Sequence, residues 1–386
     1  MKMPPNPRLI FTLLLLSLLA VREWAVELRP SFLRPGVHLC AYVGNTGDGT
    51  VTVIDLVRLS AAATVSVGAG PTGIRAHPTR KEIWGLSSAG GYAWVLDVKS
   101  NQVVARIPVG ATPYALDFSP EGDRAYVASS GSDAVVAIDC ASRQIVARGR
   151  AGRRPWIARV SPDGKMLVVS NHDDATVSLL SAATLAPLGV VAVAQQPEQI
   201  AILPDSAKAF ITSGSRNVIS VVDLKRRVLL ANLSLGGKPD DLVLKADGGE
   251  LYIPSSTAHG LVIINTQTNE VGDFLLLGMS PASATISEDA QTLWVSDSAA
   301  QHVLRVAIQS RQIIPPGPIT VGQAPLTCGI SPGGDMLLVV DTASNDLAVL
   351  RTKTLPAATG MLSPPESPIT LIPVGSRPRD LAFKVF

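Results

Sequence analysis

The 386-residue chain carries 33 Lys and Arg against 31 Asp and Glu, a formal charge of +2, so no strongly acidic or basic partner is implied. Without a Lys/Arg stripe or a nucleic-acid-binding motif, it does not read as a nucleic-acid surface. Its apolar share is 46%, mostly Val, Ile, Leu and Ala, with 4% aromatics, which suits many short, well-buried strands.

In chain order, Lys2 and Arg8 precede a short apolar run, Leu9–Val21. A basic start followed by such a run predicts a secretory signal peptide over residues 1–25; an uncleaved N-terminal anchor is the alternative. Either reading places the rest of the chain outside the cytoplasm (periplasmic, secreted or cell-surface), with membrane contact only if the segment is uncleaved. Residues 26–39, with Pro30 and Pro35, read as an irregular lead-in.

From residue 40 a repeat takes over. A proline closing a Gly-x-x or similar turn falls at Pro71, Pro113, Pro155, Pro197, Pro239, Pro281, Pro325 and Pro378, at intervals of 42 five times, then 44 and 53. A fixed period in this range marks a repeat architecture and makes residues 40–386 one domain. Each unit reads as four strands, A to D from the proline onward. Strand A, as in Tyr114–Ser119, is followed by a Pro-x-Gly turn such as Ser161-Pro-Asp-Gly, where proline fixes φ and glycine accepts a positive φ. Strand B is Ala125-Tyr-Val-Ala or Leu293-Trp-Val-Ser, strand C ends on Asp55, Asp97, Asp139, Asp223 or Asn265, and strand D closes on glycine.

Four short antiparallel strands every 42 residues predict an all-β fold, a β-propeller of four-stranded blades. Eight A strands and eight B–C–D sets give eight blades, with seven as the alternative if the proline-rich segment near 351–378 does not form an outer strand. The eighth is assembled from both ends: the C-terminal A strand, residues 379–386, joins the N-terminal B, C and D strands and removes the open edges. The longest interval predicts an exposed loop at 355–368.

The run Ala41-Tyr42-Val43-Gly44-Asn45, followed by Val-x-Val-Ile-Asp and Val-Gly-x-x-Pro, resembles the repeat of the YVTN-type β-propeller proteins. The name-giving letters are degraded in most units, as in Ala128-Ser129 and Val295-Ser296-Asp297. The resemblance implies an exported bacterial protein. More distant relatives include lactone hydrolases, quinoprotein dehydrogenase subunits and the haem-binding propeller of nitrite reductases; none of their catalytic motifs is matched here.

Ligand sites in propellers lie where the D–A and B–C loops ring the axial tunnel. The expected rim site consists of Tyr114, Arg153, Arg154, Trp156, Gln196, Glu198, Lys238, Asp240 and Arg379. Arginine forks and an aromatic face suit a small anionic or sugar-like ligand; a protein or cell-surface partner is the other expectation. Arg75, Asp117 and Arg159, each four residues after a proline, predict either a buried charge-paired arc or a polar tunnel wall. The aspartates ending strand C read as turn caps. His172, His259 and His302 are the candidates for a metal, but the spacing favours none, and no cofactor is called for. The three cysteines, Cys40, Cys140 and Cys328, read as buried, inert thiols. No Gly-x-Ser-x-Gly, His-Glu-x-x-His or P-loop appears, and the first expectation is a non-enzymatic binding or scaffolding module. The second is a propeller enzyme, lactonase-like or quinoprotein- or haem-related, with its site at the tunnel mouth.

Overall fold

The computed structural model describes residues 38–352 and 368–386. The readings on the N-terminal segment, and almost all of the 355–368 loop, lie outside these residues. Eight antiparallel sheets form a closed ring, and seven of them follow the chain from inner to outer strand. Numbered in chain order, blade two spans Pro71–Pro108, blade three Pro113–Arg150, blade four Pro155–Ala192 and blade five Pro197–Ser234. Blade six runs from Val243 to Leu276, blade seven from Pro281 to Thr320 and blade eight from Pro325 to Pro373. The outer strand of blade eight, Thr370–Pro373, pairs with Asp346–Val349, which decides the count in favour of eight. Among the described residues helix is almost absent, limited to a turn at Ser130–Ser132.

Blade one is the composite. Its strands B, C and D are Leu39–Asn45, Thr50–Asp55 and Ser60–Ser66, and its strand A is Pro378–Val385. The register runs from Leu39 opposite Val385 to Asn45 opposite Pro378. His38 and Phe386 exchange both backbone hydrogen bonds and stack at 5.3 Å.

The core is divided. Apolar clusters lie in the junctions between neighbouring blades, from Trp84 and Val127 between blades two and three to Trp294 and Val339 between seven and eight. Strands B and C are consequently buried on both faces: Glu82–Ser87 is buried throughout, and Tyr92–Asp97 at its four central residues. Only the outer strands alternate, as in Gln102–Pro108. Polar clips cross several junctions. Trp84 Nε1 donates to Glu82 Oε2 at 2.9 Å, and Arg143 of the next blade donates to Glu82 Oε1 at 2.9 Å. Between blades six and seven Tyr252, Glu250 and Arg311 repeat the arrangement. Lys208 of blade five donates to Thr266 O and Asn269 Oδ1 of blade six, both at 2.9 Å.

Candidate functional site

The D–A turns carry the chain back to the axis, and the residue before the conserved proline often takes a left-handed backbone: Thr112, Arg154, Gln196, Ala324 and Arg377 have φ between 48° and 53°. The residue after the proline then stands at the tunnel mouth, where strand A begins in seven of the blades. All eight of these residues line one cavity of about 430 Å³. They divide it into sectors. Tyr114 and Trp156 form an aromatic arc, Glu198 and Asp240 an acidic one, and Ala282 and Leu326 an apolar one; Arg379 and Thr72 complete the ring.

The aromatic arc is a shelf. The Tyr114 and Trp156 rings lie 3.8 Å apart at 31°, and His172 stands 5.4 Å behind Trp156 at 33°. The Arg154 guanidinium covers the Trp156 ring at 5.1 Å and lies 3.5 Å from Asp173. Asp173 also holds His172 Nδ1 at 2.7 Å; with Arg154 beside it, its carboxyl is held below the usual range. Burial raises the Tyr114 phenol above its ordinary value. On its two flanks, Lys238 lies 3.5 Å from Asp240, while Arg379 is exposed and has no ion pair among the described residues.

Deeper in the tunnel stand Arg75, Arg159 and Asp380, which also line the cavity. Asp117 accepts from Val160 N at 3.1 Å and lies 3.6 Å from Arg159. Arg75 donates to Ile74 O at 3.2 Å; burial, and then the charge of Arg159, lower its pKa. Burial raises the Asp380 carboxyl despite Arg75 and Arg379, and its Oδ2 is buried with no partner. Arg75 and Arg159 line the tunnel and Arg159 pairs with Asp117, but Arg75 has no ion pair among the described residues and none of the three is fully buried.

Of the nine expected rim residues, Tyr114, Trp156, Glu198, Lys238, Asp240 and Arg379 meet at this cavity. Arg153 does not; its guanidinium is tied to Asp174 at 2.5 Å. Arg154 reaches the site over Trp156, and Gln196 is exposed outside the lining. The rim reading missed Asp380, although its place two residues after Pro378 was the available signal. The three histidines do not converge. His259 Nδ1 is bonded to Met279 O at 2.6 Å, and His302 opens a strand C rather than a turn. Among the described residues no group of three or more His, Cys, Asp or Glu is placed to hold a metal ion. The strand-C aspartates cap their turns: Asp97 Oδ1 accepts from Lys99 N and Ser100 N, and Asp139 Oδ1 from Ser142 N at 2.7 Å.

Residues 86–240 match the model of the cytochrome D1 haem domain family. No curated protein matches the chain. Among solved structures the chain is similar to dihydro-haem d1 dehydrogenase NirN in complex with DHE, at 17% identity and a TM-score of 0.73, over 89% of this chain and 74% of that one. It is also similar to the hydrazine synthase of Kuenenia stuttgartiensis, at 18% identity and a TM-score of 0.58, over 73% of this chain and 95% of that one. The expectation of a non-enzymatic scaffold is overturned by the family match and the likeness to NirN, which favour the haem-related reading.

A tetrapyrrole has two flat faces and a carboxylate edge, and the lining holds an aromatic pair and two basic side chains. The Tyr114 and Trp156 rings stack on each other and Arg154 lies over Trp156, so the pair offers a limited aromatic surface, flanked on the rim by Arg379 and Lys238. The lining contains no imidazole, thiol or thioether to face an iron, and His172 stands behind Trp156. The shared fold and the partial family match make this chain an eight-bladed propeller similar to the cytochrome D1 haem domain over residues 86–240.

Proposed function

We propose that this protein is a haem-related propeller that binds a flat, carboxylate-bearing tetrapyrrole at the mouth of its axial tunnel. The observation that carries the reading is a coincidence of position. The segment matching the haem-domain model, residues 86–240, contains the aromatic shelf and the acidic sector of the mouth, leaving only Arg379 of the expected rim residues outside it. The stacked Tyr114–Trp156 pair gives the ring an aromatic contact, an interaction worth about 0.5–1.5 kcal/mol beyond the area buried. Arg379 and Lys238 take the carboxylates, Arg379 through its planar fork. Arg154 clamps Trp156 from behind, and the His172–Asp173 pair fixes the shelf. When bound, such a macrocycle supplies one-electron redox chemistry. The chain supplies stacking, orientation and partial exclusion of water.

The finer reading, a YVTN-type repeat in an exported, extracytoplasmic chain, rests on Tyr42-Val43-Gly44-Asn45 and on the basic and apolar start. Titration of the chain from about residue 26 with haem and with an iron-free porphyrin, followed by absorbance and Trp fluorescence, tests the function. Binding is expected, weakened about tenfold by Trp156→Ala and further by Arg379→Ala. Absence of binding to either compound would sink the reading.

A further inference from the structure

In each blade the last residue of strand B faces the first of strand C, and in blades one and four their side chains fasten the turn between them. In blade one Asn45 Nδ2 donates to Thr50 Oγ1 at 3.0 Å and Thr52 Oγ1 at 2.9 Å. In blade four Asn171 Nδ2 donates to Thr176 Oγ1 and Ser178 Oγ, both at 2.9 Å, and its Oδ1 accepts from Gly152 N at 3.0 Å. Blade eight keeps this register but places Asp341 opposite Asp346, with Ala348 in the third position. Asp341 Oδ2 still accepts from Gly322 N at 3.0 Å, the counterpart of Gly152. The donating arm is gone. Asp341 is fully buried, and its Oδ1 and that of Asp346 are both buried without a partner.

Ionising two facing carboxylates is costly where one of them, Asp341, is fully buried. The surroundings offer little relief. A Cβ on Gly322 would come within 2.5 Å of Ser344 Oγ and 2.6 Å of Asp346 Oδ1. From the D–A turn the pair meets the Gly322 amide and the neighbouring uncharged Gln323. From the closing segment come Arg377, exposed and joined to Asn345 through its backbone amide, and Ser376, whose amide is held by the exposed Asp48. From its own hairpin the charge acting on Asp341 is that of Asp346.

We propose that Asp341 and Asp346 share one proton, and that this proton fastens blade eight to the blade that closes the ring. The turn they hold carries the joint. Thr342 Oγ1 donates to Pro378 O at 2.8 Å, Thr342 N to Ala324 O at 3.1 Å, and Asn345 Oδ1 accepts from Arg377 N at 2.8 Å. Loss of the proton puts two like charges into a buried turn, which opens toward water and loosens those bonds. Burial, reinforced by Asp346, pushes the Asp341 carboxyl up to about 8. The folded state thus holds a proton that the unfolded chain releases near pH 4. The stability due to this pair is full below about pH 4, falls as pH rises from about 4 to about 8, and levels off above.

Asp341→Asn restores the amide donor toward Asp346 and removes the proton. The test compares native chain and variant by infrared spectroscopy, thermal unfolding from pH 4 to 9, and hydrogen exchange corrected for intrinsic rates. At pH 6 the native protein is expected to show a protonated-carboxyl band that the variant lacks. The variant's advantage in Tm grows by a few degrees between about pH 4 and 8. Above pH 8 the amides of Gly322, Thr342 and Arg377 exchange at least about tenfold faster in the native protein than in the variant. A Tm difference independent of pH, or absence of the band, overturns the proposal. So does recovery of the variant's Tm by the native protein on adding calcium at pH 8, because the pair then holds a cation. Asp346→Asn gives the same readouts should Asp341→Asn fail to fold.

Discussion

At the residue scale, the chemistry of a side chain here follows from which ring of the propeller it occupies. The same residue type caps a turn in one ring and lies in the tunnel in another. Asp97 and Asp139 end strand C at the surface, and hydrogen bonds from the next turn lower their carboxyls. Asp241 and Asp380 stand near the axis, where burial raises theirs. The cysteines obey the same rule. Burial pushes the thiol of Cys40 up to about 11 and those of Cys140 and Cys328 up to about 12. At pH 8 all three remain protonated, and the thiolate is the reactive form. A thiol reagent is expected to leave the folded protein unlabelled over hours at pH 8 and to label all three on denaturation; rapid labelling of any one in the folded state would contradict this.

At the scale of the element, strands B and C are where sequence reading is least direct. The alternation in Thr50-Val-Thr-Val-Ile-Asp looks like a strand with one wet face, yet both Val53 and Thr52 are buried. The second face meets the next blade, so small polar side chains are buried there with partners, as Thr52 is with Asn45. The junction clips are the stronger form of this. Glu82 sits inside, accepting from Trp84 of its own strand and from Arg143 of the next blade. Changing Glu82 to Gln leaves one of the two donors with a weaker partner, and Glu82→Leu leaves the Trp84 N–H buried and unpaired. The leucine variant is expected to lose about 1–3 kcal/mol of stability. Urea unfolding checks this, and the loss is non-additive with that of Arg143→Ala because both act on one junction.

At the scale of the whole molecule, closure of the ring governs. Strand Pro378–Val385 supplies Leu381 and Phe383 to the junction with blade eight and Ala382 to the junction with blade two. Deleting residues 379–386 removes these contacts and bares the inner edge of Leu39–Asn45. The expected result is loss of cooperative unfolding of the ring, not fraying of one blade; an unchanged melting temperature would refute the closure argument.

How much of this was legible in the sequence follows from range. The 42-residue proline period and the Asp-ended third strands are local signals, so blade number, strand order and the composite blade could be read directly. The turn-capping role of Asp55 and Asp139 was legible for the same reason, since their partners lie two or three residues away. The site was half legible: the position after each proline is a local fact, and it places Tyr114, Trp156, Glu198, Asp240 and Arg379 on one ring. What only the tertiary structure decided is which neighbours those side chains meet across blades. Arg153 turns to Asp174 and leaves the mouth, while Asp380 faces Arg75, a residue some three hundred positions away in sequence. Chain order fixes a side chain's place within a blade, because strand geometry is set by nearest neighbours. Contacts between blades are set by closing a ring of eight, and no local pattern encodes that.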